Sequence, residues 1–83
     1  MTLDILTPDV KVFSGEVYGV NLPGVNGFFE ILDQHAPLVS SLDKGVITIR
    51  KTAKDAEKIT IEGGLVEVFN NKVIVLADAI LKE

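Results

Sequence analysis

Turn-forming residues cut this chain at short and regular intervals. They fall at Thr7-Pro8-Asp9, Ser14-Gly15, Pro23-Gly24, Asn26-Gly27, Asp43-Lys44-Gly45, Lys54-Asp55-Ala56, Gly63-Gly64 and Asn70-Asn71. Breaks every ~8–12 residues leave room for strands and suit a sandwich or barrel. The pieces between them read the same way. Ile47-Thr48-Ile49-Arg50 and Ile59-Thr60-Ile61-Glu62 alternate apolar and polar with period two, and Val73 to Ala77 is a β-branched run suited to a strand covered on both faces. Val and Ile dominate, and their stiff side chains favour pleated surfaces. Strands are expected at Leu3–Leu6, Lys11–Phe13 with a bulge at Ser14-Gly15, Val17–Leu22, Leu38–Leu42, Val46–Arg50, Lys58–Glu62, Leu65–Phe69 and Lys72–Asp78. Asn70-Asn71 is suited to a two-residue hairpin turn, because both residues tolerate positive φ. The best helical stretch, Thr52 to Lys58, is too short to compete with its neighbours. The expectation is one all-β domain over residues 1–83, a small antiparallel β-sandwich of two packed sheets with roughly eight to ten short strands.

A chain of 83 residues buries only roughly 60–65% of the surface its unfolded form exposes. Such a domain usually needs a further staple. There is no cysteine, so disulfides and thiolate metal sites are excluded, and one histidine is a poor basis for zinc. Partners remain as the candidate staple. Lys and Arg number 8 against 12 Asp and Glu, a net charge of −4, with no basic cluster. That argues against nucleic acid and against an anionic membrane surface. No apolar run approaches the ~20 residues of a membrane helix, so no direct membrane insertion is expected. Met1-Thr2-Leu3-Asp4 lacks the basic start of a signal peptide, and the chain reads as cytoplasmic.

Residues for catalysis are few. A nucleophilic site would have to use His35 with Ser40 or Ser41 and Asp33 or Asp43, yet there is no G-x-S-x-G elbow. A carboxylate pair is conceivable among so many acids, but most serve as a solvated face. Gly24-Val25-Asn26-Gly27 lacks the lysine and following helix of a phosphate-cradling loop and reads as turns after a strand. Lys44 stands at a hairpin tip, as the modified lysine of lipoyl and biotinyl carrier domains does, although Asp-Lys-Gly is also an ordinary turn. No catalytic residue, cofactor or metal is assigned.

The unusual stretch runs from Phe28 to Val39. It begins apolar, turns polar at Asp33-Gln34-His35, and resumes at Pro37, which biases Ala36 to extended structure. Read with its surroundings, it resembles the N-terminal β-sandwich of the epsilon subunit of F-type ATP synthases. Phe13-Ser14-Gly15, Leu22-Pro23-Gly24 with Gly27, His35-Ala36-Pro37-Leu38, Gly45 with Val46 to Ile49, Gly63-Gly64-Leu65-Val66-Glu67-Val68, and Val73 to Ala79 match that family's motifs in order. The resemblance covers essentially the whole chain. Two departures stand out. Asp33-Gln34 replaces the family's usual Pro-Gly, which changes the turn's backbone chemistry and adds a negative charge beside His35. Typical members also continue into a two-helix C-terminal domain, which this sequence does not contain.

The resemblance implies a non-catalytic rotor subunit, peripheral at the cytoplasmic face of the inner membrane, lying between the gamma subunit and the ring of c subunits. By carry-over, His35, Ala36, Leu38 and Ser40 would face gamma, with Thr7 as a further candidate. Phe28, Asp33 and Gln34 would face the c ring. Residue parity is compatible with docking. Phe28 and Phe29 are adjacent, so on a strand they point to opposite faces and only one readily enters the core. Ile74 and Leu76 likewise oppose Val73 and Val75, which suggests an outer face covered by something else.

Overall fold

A computed structural model describes residues 1–81. It is built of ten strands: β1 Thr2–Leu6, β2 Lys11–Glu16, β3 Gly19–Gly24, β4 Gly27–Leu32, β5 Leu38–Leu42, β6 Gly45–Arg50, β7 Ala56–Ile61, β8 Gly64–Phe69, β9 Lys72–Ala77 and β10 Ile80–Leu81. Among the described residues no helix interrupts them. The all-β expectation holds, and Leu38–Leu42 coincides with its expected bounds.

The strands form one curled sheet rather than two separate ones. Its order is β10-β7-β6-β3-β5-β8-β9-β1-β2, with β4 on the other edge of β3. The two halves of the curl join where β3 meets β5 through the single pair Gly24–Leu42. Their inner faces pack into one core. Leu3, Ile5, Val66, Val73 and Val75 come from the half with β1, β8 and β9, and Val20, Leu22, Ile31, Ile47, Ile49 and Ile61 from the half with β3, β4, β6 and β7. All of these are essentially without solvent exposure. Each fully buried aliphatic side chain contributes about 1.5–3 kcal/mol, so the period-two alternation of the strands is what closes the curl.

Four details differ from the sequence reading. First, β1 runs parallel to β9, with Thr2 opposite Lys72 and Leu6 opposite Leu76, so the sheet is not wholly antiparallel. Second, the bulge lies not at Ser14-Gly15 but near Val12. Leu3 pairs regularly with Gly15, while the register shifts between Ile5 and Leu6, opposite Phe13 and Lys11. The shift turns two sequence neighbours, Val12 and Phe13, toward the core together. Third, Pro23 and Gly24 belong to β3, and Val17 lies before it. Proline is tolerated there because its carbonyl, not its missing N–H, is used: Pro23 O accepts from the Asp43 amide at 2.7 Å. Fourth, β10 was not expected. It covers the edge of β7 by pairing Ile80 with Ile61.

Loops gather at two ends. One end carries Met1, the Lys51–Asp55 turn, the Asn70-Asn71 turn and the connection from Asp33 to Pro37. The other carries the Thr7–Val10 turn, the Val25-Asn26 hairpin, and the turns at Asp43-Lys44, Glu62-Gly63 and Asp78-Ala79. Asn70 and Asn71 have φ of 50° and 62°, as the hairpin reading requires.

Candidate functional site

The residues of catalysis do not assemble. The His35 ring donates from Nδ1 to the Ala36 carbonyl at 2.7 Å. Asp33 is engaged elsewhere, Asp43 lies at the opposite end of the molecule, and the Ser40 hydroxyl donates to Ser41 O at 3.4 Å. Among the described residues no group of three His, Asp or Glu side chains gathers as a metal site. Gly24 to Gly27 form a two-residue hairpin turn between strands, so they lack a helix N-terminus to receive a phosphate. Lys44 is exposed, and its amide donates to the Asp43 carboxylate at 2.9 Å. The lysine thus sits in an ordinary turn between β5 and β6.

The surfaces suited to docking are clearer. Residues directly opposite in a ladder share a face. Ser41, Leu65, Leu76 and Leu6 therefore form one row on the outer face of β5-β8-β9-β1, and Val39, Glu67, Ile74 and Asp4 form the next. Val39 is 63% exposed, with Leu65 and Leu76 also open to solvent, and Leu6 and Ile74 half-buried. Phe69, 60% exposed, extends the patch toward the first loop end. A shallow depression of about 390 Å³ lies between Pro37 to Val39 and Glu67 to Phe69. The parity argument at Ile74 and Leu76 is thus met by an open apolar face.

The carried-over residues divide between the two ends. His35 and Ala36 are exposed in the connection that enters β5, next to that depression. Leu38 and Ser40 sit on the inner side of β5, opposite the buried Val68 and Val66, and Leu38 packs against the core. Thr7 stands at the far end, immediately after Leu6 of the outer row, where its hydroxyl accepts from the Val10 amide at 3.2 Å. Phe28 is the second residue of β4, beside the far hairpin, and is 64% exposed, while Phe29 packs against the core. Asp33 and Gln34 lie past the other end of β4, about 17 Å along the strand from Phe28. The geometry therefore separates Phe28 from Asp33-Gln34.

Asp33 and Gln34 are held by another turn. The Asn71 side-chain amide donates to Asp33 Oδ1 at 2.9 Å, and the Gln34 backbone amide donates to Asn71 Oδ1 at 2.8 Å. The Met1 ammonium also reaches Asp33 Oδ1, at 3.0 Å. The Asn71 bond first, and then the ammonium, hold the Asp33 carboxyl below its ordinary range. The same Asp33 contact raises the Met1 amino group above its usual value.

Sequence reasoning missed Val39, Leu65 and Phe69 as surface groups and Asn71 as a partner of the His35 connection. The first three were available from strand parity once the inner face was fixed by Leu38, Val66 and Val68. Asn71 was not, since nothing in its spacing to Asp33 reports contact.

Comparison with known proteins bears on family and fold. Residues 1–83 match the family described as the ATP synthase delta/epsilon chain, beta-sandwich domain. An ATP synthase epsilon chain of Chlorobaculum tepidum is 40% identical over 95% of this chain and 90% of its own length. That of Sulfurimonas denitrificans is 44% identical over 94% of this chain but 60% of its own length. The chain thus spans nearly all of some relatives and little more than half of others. Among solved structures, a chain of the Euglena gracilis mitochondrial ATP synthase (OSCP/F1/c-ring) superposes with a TM-score of 0.88 at 18% identity, covering 95% of this chain and 51% of that one. A chain of the Tetrahymena thermophila mitochondrial ATP synthase central stalk and c-ring gives 0.84 at 14% identity, covering 98% and 65%. At such identities these two likenesses speak for the fold, whereas the sequence matches speak for descent. An all-β curl that carries His35-Ala36-Pro37-Leu38 into β5 and matches that family along its whole length belongs to the beta-sandwich domain family of ATP synthase delta and epsilon chains.

Proposed function

We propose that this chain is a non-catalytic rotor subunit of an F-type ATP synthase, seated in the central stalk between the gamma subunit and the c ring at the cytoplasmic side of the membrane. The observation that carries the reading is the open apolar face of β5, β8, β9 and β1, continuous with His35 and Ala36 at one end and with Thr7 at the other. A monomer rarely leaves such a face uncovered. Gamma lies along it, so its footprint includes His35, Ala36, Val39, Leu65, Leu76 and Thr7. Leu38 and Ser40 support that footprint from the inner side of β5. The c ring meets the far end through Phe28, an exposed aromatic of the kind that anchors interfaces. Asp33 and Gln34, on the opposite end, leave the ring-facing set. The carrier-domain reading of Lys44 has no support from the relatives.

Function here is mechanical. A closed curl with short loops is stiff, and burial against two partners stabilises a small domain further. Co-purification with tagged gamma tests the reading. Val39→Asp is expected to abolish capture while shifting stability by no more than about 0.5 kcal/mol, as surface changes do. Undiminished capture by that variant would remove the outer face from the interface.

A further inference from the structure

The turn that presents His35 is made from residues that do not favour it. Leu32 to His35 close a β-turn, the His35 amide donating to Leu32 O at 3.2 Å. Its third residue, Gln34, has φ of 64°, while Asp33 does not have a positive φ. Positive φ at the third position alone is the pattern of a type II turn, whose favoured central residues are Pro and then Gly. This chain has neither, and Gln34 must be held in the left-handed region from outside.

The outside hold is Asn71. One side-chain amide makes two bonds to consecutive residues of the turn, accepting from the Gln34 backbone amide and donating to the Asp33 carboxylate. Asp33 and Gln34 are exposed and Asn71 is half-buried, so core packing does not enforce the turn's arrangement. Asn71 is itself fixed, because it is the second residue of the β8–β9 hairpin turn, with φ of 62°, and its carbonyl accepts from the Thr2 amide at 3.2 Å. Strand β9 also supplies Ile74 and Leu76 to the outer face. The hairpin that helps build the docking face thereby sets the loop at its margin.

We propose that Asn71 is a positioning residue for the His35 loop, a clasp that does by tertiary contact what Pro-Gly does by local geometry. Its effect on docking rests on the reading of His35 and Ala36 as part of the gamma footprint; the clasp itself does not.

The test uses Asn71→Gly, which removes the side chain but leaves Asn-Gly, the pair best suited to this hairpin turn. Backbone amide exchange is followed by NMR on the free chain. Exchange at Gln34 and His35 is expected to quicken about tenfold with core amides unchanged. Affinity for purified gamma is expected to fall about three- to tenfold, as the loop spends less time in its competent form. Adding D33P and Q34G in the same chain is expected to restore affinity, since Leu32 is already extended as a residue before proline must be. Unchanged exchange at Gln34 and His35 in N71G overturns the clasp. Loss of affinity that Pro-Gly does not restore overturns the positioning role and makes Asn71 a direct contact. Quickened exchange with unaltered gamma binding in N71G, and equally in His35→Ala, sustains the clasp and overturns the docking reading alone.

Discussion

At the scale of single residues, Gln34 is the place where this chain departs from what its own backbone asks for. A non-glycine residue at positive φ costs about 1–2 kcal/mol, partly returned by the lower entropy of its unfolded state. Gln34→Gly is therefore expected to stabilise the domain by about 0.5–1 kcal/mol, a rise in melting temperature of about 3–6 °C for a chain this small; an unchanged or lower melting temperature would show that the turn is not strained. Asp33 adds a pH signature. Its folded carboxyl lies below the ordinary range, so its contribution is present above an unfolded value of about 4 and fades as pH falls through the lowered one. The Met1 amino group is raised, so its share is present below about pH 8 and fades as pH rises through the raised value. Asp33 is exposed although Met1 is buried, so solvent screens the pair from the carboxylate side. The difference in melting temperature between the natural chain and Asp33→Asn should be small, greatest near pH 6, and smaller at pH 3 and pH 10. A difference independent of pH would mean that the charge plays no part. That Asp33-Gln34 alters the turn was legible in the sequence, because the residue types alone say so. The remedy was not, because Asn71 lies 37 positions away and contact at that distance is decided by the fold.

Single elements were read well where alternation sets their limits and poorly where neighbours do. Ile47-Thr48-Ile49 and Val73 to Ala77 announce β6 and β9 by pattern. The Val12-Phe13 bulge breaks the alternation it would have to be read from, and two-residue β10 is too brief to have a pattern at all. Gly63-Gly64 read as a break between strands, yet Gly64 is the first residue of β8 and pairs with Ala77. A Cβ there would collide with the Leu76 carbonyl. Gly64→Ala should consequently cost about 3 kcal/mol through displacement of β9, measured by urea unfolding; a loss under about 0.5 kcal/mol would mean that the strands part without strain.

In the whole molecule, two apolar surfaces point different ways, and they should fail separately. Phe28→Ala is expected to weaken association with the c ring and spare capture by gamma. Val39→Asp should do the reverse, with both variants near the natural melting temperature. Pull-down with gamma alone and with the gamma–c-ring assembly distinguishes them, and equal losses on both partners would contradict the division into face and end. The family was readable from motifs in order along the chain. The division was not, because Phe28 and Asp33 are close in sequence and only β4 between them puts them at opposite ends. The parallel ladder between β1 and β9 has a further bearing, on how the domain comes to exist. Leu3 and Ile5 are core residues, and the β9 side of their strand stays unpaired until Val73 and Val75 arrive. Apart from its hairpin with β2, β1 must wait for β9. On a ribosome the nascent chain stays without this parallel ladder until residues 72–76 have emerged. Refolding of the released domain is expected in milliseconds to seconds, as for other sheets closed by distant partners.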